Sequence, residues 1–238
     1  MQRIALWDLP TRAFHWLLAA SVTGALVTGY VGGNWIEWHA RLGETIVGLI
    51  VFRIVWGFVG APSARFATFV RGPRAIAAYV RGQWQGTGHN PLGALAVLAL
   101  LALTLAQAGT GLFTTDDIAF QGPWAALVGD DGAHRAATLH GFGQKLLIGV
   151  VVLHLTAIAF YAVVKRRNLV RPMVTGWQAV DPQTEAPAWP VRSPRARAAA
   201  FAVAVLIAAF GLHVAAGGWS AAPAKASAPA VTTNAPAW

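Results

Sequence analysis

The chain has 238 residues, of which 56% are hydrophobic and only 11% charged, against roughly a quarter charged in an ordinary soluble domain. That balance excludes a water-soluble fold, and the formal charge of +9 sits in Lys and Arg flanking apolar runs, a pattern of orientation in a bilayer and not of nucleic-acid binding. With no cysteine, disulfides, thiolate metal sites, iron–sulfur clusters and covalent C-x-x-C-H attachment are also excluded, so any metal must be held by His or carboxylate.

Apolar stretches occur in chain order at Ala13–Val31, Leu42–Gly60, Leu92–Phe113, Leu146–Val164 and Ala198–Ala216. Each is close to the roughly 20 residues that a helix needs to cross a bilayer. They predict an all-α transmembrane four-helix bundle followed by a fifth C-terminal transmembrane helix. No segment reads as a strand able to compete with helix inside lipid, where the backbone must satisfy its own hydrogen bonds. The first span has no small-residue cleavage site after a short core, so it is expected to be retained, with Met1 as the start of the mature chain. Residues 1–179 form the expected four-helix domain and 180–197 a Pro/Arg-rich linker. The fifth span follows at 198–216, and 217–238 is an Ala/Pro/Ser/Thr-rich tail expected to be disordered.

Lys and Arg mark cytoplasmic loops. Arg3 and Arg12 precede the first span, Arg65, Arg71, Arg74 and Arg81 follow the second, and Lys165, Arg166, Arg167, Arg171, Arg192, Arg195 and Arg197 follow the fourth. The other connections are poor in Arg, and the one from Thr114 to Thr138 carries Asp116, Asp117, Asp130 and Asp131. The N-terminus and the linker are therefore expected in the cytoplasm and the tail on the far side. Trp16, Trp35, Trp38, Trp124 and Trp219 read as interface markers.

An ionisable residue within a span is costly and signals function. His15, His39, His140 and His154 stand inside or at the ends of spans. His140 and His154, 14 residues apart, would lie about 21 Å apart along one helix and within about 40° of one face. By topology His15 shares a level with His154, and His39 shares the opposite level with His140. Two bis-His sites at two depths suit axially ligated haems, one imidazole coming from each facing helix. Two stacked haems make an electron wire across the membrane. Gly24, Gly29, Gly43, Gly48, Gly143 and Gly149 would leave room for the macrocycles, although glycine is common in membrane helices anyway. Arg53, 14 residues beyond His39, reaches the level of the inner pair and can grip a haem propionate with two prongs; the alternative is snorkelling to the cytoplasmic headgroups. A single membrane histidine more often serves as a helix–helix hydrogen-bond partner, so the expectation rests on pairing by depth. His89 is read as a capping or solvent residue at the inner interface, with a propionate or quinone contact as the alternative. His134 is expected at the surface and His213 at the outer interface.

The segments WDLPTRAFHW, WHARLGETIVGLIVFRIVWGF, GHNPLGA and LHGFGQKLLIGVVVLH, covering about Trp7 to Arg167, resemble the superfamily of bacterial cytochrome b561 and the nickel–iron hydrogenase b-type cytochrome subunit. The resemblance implies a four-helix bundle in the bacterial inner membrane with two haem b groups and His15, His39, His140 and His154 as axial ligands. It also implies electron exchange between quinone and a redox partner, such as a periplasmic c-type cytochrome, a hydrogenase or a molybdenum enzyme. The fifth helix and tail lie outside it. Two other functions compete. One is a stand-alone superoxide:quinone oxidoreductase, which the acidic outer loop disfavours because it would repel an anionic substrate. The other is a haem-free, His-based metal or proton transporter, which predicts carboxylates within the spans, where Glu44 is the main one.

Overall fold

A computed structural model describes residues 2–84, 88–118, 120–180 and 193–218. Most of the expected linker and the tail from 219 onward, with Trp219, lie outside the described residues.

Strand β1 (Gln2–Ala5) precedes helix α1 (Leu9–Val31). Pro10 fits the first turn of α1, where the missing N–H costs nothing, and Gly32 ends it at φ +65°, a conformation that residues with a Cβ rarely adopt. A short 3-10 turn leads into α2 (Ile36–Val59), followed by two small helices, α3 (Phe66–Phe69) and α4 (Pro73–Val80). Helix α5 (Pro91–Gly111) starts at Asn90, whose side chain accepts a 2.7 Å bond from the amide of Gly93. Then come α6 (Gly129–Val163), α7 (Val170–Thr175), β2 (Trp177–Val180) and α8 (Pro194–Ala215). Ser193 caps α8 by accepting from the amide of Ala196 at 3.2 Å, with Pro194 beginning the first turn.

Among the described residues five helical segments are long and apolar enough to cross a membrane, and they correspond to the five expected spans. The helices run beyond the apolar stretches, because helix continues as long as caps and backbone allow while hydropathy falls off earlier. The 35-residue α6 starts at Gly129, well ahead of Leu146, so His140 lies inside a helix and not at its mouth.

The two strands were not expected. Four residues each are too short for alternation to register, and they sit beyond the helix ends, where the helix-only rule of the lipid core does not apply. They pair antiparallel from Gln2↔Val180 to Ala5↔Trp177. The clasp continues in Leu6 N–H donating to the Gly176 carbonyl at 2.8 Å and Trp16 Nε1 donating to the Met173 carbonyl at 3.3 Å.

Helix α2 is the centre of the bundle and packs against α1, α5 and α8. Ile50, Phe52 and Trp56 of α2 form the core with Phe14, Leu101 and Ala204. The fifth span is an integral part of this packing: a Cβ on Gly48 would stand 3.0 Å from Leu212 Cβ, and one on Gly211 3.1 Å from Val51. Small residues thus let α2 and α8 approach closely, as in other membrane helix pairs. Trp124 Nε1 donates to the Val214 carbonyl at 3.1 Å, joining α8 to the connection between α5 and α6. Helix α6 packs on α5, but among the described residues its backbone barely touches α1 or α2. A slot therefore runs along α6, facing α1 and α2.

Candidate functional site

The histidines face one another across this slot. At the end carrying the acidic connection, His39 in the first turn of α2 meets His140 of α6, with ring centroids 5.9 Å apart and planes at 84°. His39 Nδ1 lies 2.8 Å from the Ala25 carbonyl, and His140 Nδ1 lies 3.0 Å from the Gln107 carbonyl. A carbonyl only accepts, so these bonds assign the proton to Nδ1 in both rings and leave each Nε2 a lone pair for a metal. Gln107 Nε2 donates to the His140 carbonyl at 3.0 Å, while the Thr110 hydroxyl donates to the Gln107 carbonyl at 2.9 Å and stands 3.3 Å from His140 Nδ1. Two glycines form the bed of the rings. A Cβ on Gly29 would lie 2.9 Å from His39 Nδ1, and one on Gly111 would lie 3.0 Å from His140 Cε1. A cavity of about 250 Å³ opens beside the pair, its walls including Glu44, Ala108, Thr115 and Asp116.

At the opposite end, His15 of α1 and His154 of α6 stand close enough for their charges to interact. Nδ1 of His15 is buried and has no hydrogen-bond partner, and the ring meets Trp16 edge-on at 5.2 Å. Arg53 is 3% exposed, so it does not snorkel to water. Its guanidinium lies 4.8 Å over the Phe66 ring and 5.9 Å from that of Phe69, because α3 folds back under the end of α2. Nη1 of Arg53 is left without a hydrogen-bond partner, an uncommon state for a buried cation and one that an anionic group would relieve. Asp8 is the carboxylate nearby; its charge reaches Arg53, and its Oδ2 accepts a 2.8 Å bond from Trp56 Nε1.

His89 is neither a cap nor a solvent residue. Asn90 does the capping, while the His89 ring is wedged between Trp7 at 4.6 Å and Phe69 at 4.7 Å, its Nδ1 buried without a partner. Burial, and then the neighbouring Arg53, push the His89 imidazole down to about 4. It is neutral at physiological pH. His134 is at the surface, 3.6 Å from Asp117, and His213 is exposed in the last turn of α8, away from the slot. Gln107, Thr110 and Gly111 were not expected as site residues, whereas Gly29 was among the glycines expected to leave room for a macrocycle. Gln107 and Thr110 were the findable ones, since polar side chains stand out in an apolar span.

Among the described residues no three or more His, Asp or Glu converge as a metal cluster. Two facing imidazoles suit a group that brings its own equatorial ligands, as a porphyrin does. Two metal–imidazole bonds of about 2 Å each would hold ring centroids about 6 Å apart, in agreement with the 5.9 Å between His39 and His140.

The model of the family described as prokaryotic cytochrome b561 matches residues 6–176, which include all four slot histidines. The chain belongs to this family. Proteins of this kind named probable Ni/Fe-hydrogenase B-type cytochrome subunit are similar to it over 74% of this chain and 88% of their own length: 26% identical in Azotobacter chroococcum mcd 1, 24% in Azotobacter vinelandii and 23% in Rhizobium leguminosarum bv. viciae. No solved structure matches the chain. As a member of the cytochrome b561 family with five membrane-crossing helices, it is a multi-pass membrane b-type cytochrome of electron transfer, and the family implies haem b as its cofactor. The paired imidazoles, the slot beside α6 and the partnerless Arg53 nitrogen fit that group.

Proposed function

We propose that this cytochrome carries electrons across the bacterial cytoplasmic membrane through two haem b groups, between the quinone pool and a redox partner protein. His39 and His140 hold one haem, and His15 and His154 hold the other. The observation that carries this reading is the His39–His140 pair, whose rings stand 5.9 Å apart with both Nδ1 atoms engaged by carbonyls, which leaves both Nε2 lone pairs for a metal. Bound there, haem supplies reversible one-electron exchange. The chain's own residues fix what surrounds that exchange. The carbonyls of Ala25 and Gln107 orient the imidazoles, and Gly29 and Gly111 let the rings seat. Arg53 takes a propionate of the haem at His15 and His154, which would partner its Nη1.

The excess of Lys and Arg in the loops at that end supports a cytoplasmic N-terminus and a cytoplasmic His15–His154 end, with the tail on the periplasmic side. The relatives are named as hydrogenase cytochrome subunits, which favours a hydrogenase-like enzyme as partner, with a periplasmic c-type cytochrome or a molybdenum enzyme filling the same role in principle. Superoxide is the less suitable substrate, because Glu44 and Asp116 line the cavity at the acidic end and repel an anion. The test is a pyridine haemochrome count on the purified chain, followed by reduction with a quinol. Two haems per chain, reduced by quinol, are expected; a colourless folded protein would refute the proposal.

A further inference from the structure

The end of the bundle that carries His15 and His154, the basic end, is crossed by a segment that the slot does not use. Helices α3 and α4 bridge the end of α2 to the start of α5. The eight residues of α4 rise only about 12 Å, too little to cross a bilayer, and the segment joins two helices that do cross, so α4 rests at the membrane surface. Side chains hold it there. The hydroxyls of Tyr79 and of Tyr161, in the last turn of α6, are hydrogen-bonded to each other, and Asn90 Nδ2 donates to the same Tyr161 oxygen at 2.9 Å.

The two sides of α4 differ. Ala75, Ile76, Ala78 and Tyr79 are half-buried on the side that meets the bundle, while Arg74, Ala77, Val80 and Arg81 are exposed. At about 100° per residue these four lie within about 120° of one another, with Arg74 and Arg81 on one flank and Val80, 70% exposed, on the other. Further cations surround this face. Arg71 is exposed just before α4, and Lys165, Arg166 and Arg167 are exposed just after α6. Arg167 stands close enough to Tyr79 for its charge to act on the phenol. Among the described residues none of these cations has a carboxylate partner: the ion pairs Arg41–Glu37 and His134–Asp117 belong to the other end, and Asp8 is engaged with Trp56 and Arg53.

We propose that the outward face of α4, with Arg71, Arg74, Arg81 and Arg167, is a docking site for an anionic phospholipid. The charge calls for an anion, and the level calls for a lipid. Guanidiniums beside a bare valine, on a short helix lying across the ends of membrane-crossing helices, match the boundary between phosphate headgroups and acyl chains. An acidic protein approaching from water would match the arginines but not Val80. The lipid also has a structural effect, because the same segment lays Phe66 and Phe69 over Arg53 and packs Phe69 on His89. A headgroup that holds α4 to the surface keeps α3 closed over the buried groups of the basic end.

Native mass spectrometry of the purified full-length protein in detergent, with phosphatidylglycerol or phosphatidylcholine of identical chains added, tests the proposal, and amide hydrogen exchange locates the site. Phosphatidylglycerol should bind about tenfold more tightly or better and slow exchange over 73–81. Arg74→Gln together with Arg81→Gln should weaken phosphatidylglycerol about 25-fold, from about fivefold for each guanidinium, remove that protection and leave phosphatidylcholine unchanged. Arg74→Lys with Arg81→Lys should keep most of the affinity, and Arg135→Gln, exposed at the acidic end, all of it. If the glutamine pair unfolds, Arg167→Gln decides, with an expected loss of about fivefold. Equal binding of the two lipids, native affinity in the folded glutamine variants, an equal loss in Arg135→Gln, or protection that falls elsewhere would overturn the inference. Displacement of the lipid by equimolar inorganic phosphate or polyglutamate would overturn it too, assigning the face to a free anion or an acidic protein.

Discussion

The two ends of the slot along α6 solve the same ligand problem differently. At His39 and His140 the imidazoles are finished by the main chain: carbonyls fix their protons and glycines form their bed. At His15 and His154 the unsatisfied atoms accumulate instead, with His15 Nδ1, Arg53 Nη1, Arg12 Nε and His89 Nδ1 all buried without partners. The acidic end leaves Gln107 Oε1 unpaired, while the other keeps several polar atoms in reserve for what binds there. Buried polar groups left unpaired cost stability in the empty chain, so the cofactor should matter more to folding at the basic end.

Removing a ligand should divide the molecule most sharply. His39→Ala or His140→Ala is expected to lower the haem count from two to one and spare the other site, and His15→Ala or His154→Ala to do the converse, read by pyridine haemochrome. If either change emptied both sites in a folded protein, the two ends would not be independent. Next in size are the ring beds. Gly29→Val or Gly111→Val must displace a histidine ring, since even a Cβ there comes within 2.9 and 3.0 Å. Each should weaken haem binding at the acidic end by about 10–100-fold, measured by competition with apomyoglobin. Gly149→Ala, where a Cβ meets nothing within 4 Å, is the silent control.

Two smaller effects concern the basic end. Trp56→Phe deletes the 2.8 Å bond to the Asp8 carboxylate and should cost about 2 kcal/mol in thermal or denaturant unfolding. His89 gives a pH signature. Its imidazole is held near 4 in the fold, against 6.5 for the free group, so the unfolded chain binds more protons between those values. Its contribution is complete above pH 6.5 and is lost as pH falls toward 4, by at most about 1.4 kcal/mol per pH unit. His89→Gln should flatten that slope in melting temperatures compared between pH 7.5 and 5. An unchanged slope would mean that His89 is not the titrating group.

The five spans and the pairing of histidines by depth were readable because both follow from regular geometry: hydropathy marks the helices, and a rise of about 1.5 Å per residue ranks His15, His39, His140 and His154 by level. The surroundings of those histidines were not. Ala25 acts through its main-chain carbonyl, which every residue has, so no side-chain pattern reveals it, whereas Gln107 also carries a polar side chain that stands out in its apolar span. The burial of Arg53 depends on α3 folding back to lay Phe66 and Phe69 beneath it, a tertiary event in a loop without periodicity. His89 was misread for a related reason, since the residue that caps α5 is its neighbour Asn90.

The clasp between residues 2–5 and 177–180 bears on biogenesis. Its second strand leaves the ribosome only after the first four membrane-crossing helices have been made, so the start of the chain must wait unpaired while they insert. Until that latch shuts, α1 is tied to the bundle chiefly through α2, and the side on which α6 docks stays accessible. The order of synthesis thereby leaves an interval for pigment loading, closed when the earliest residues of the chain meet some of the latest.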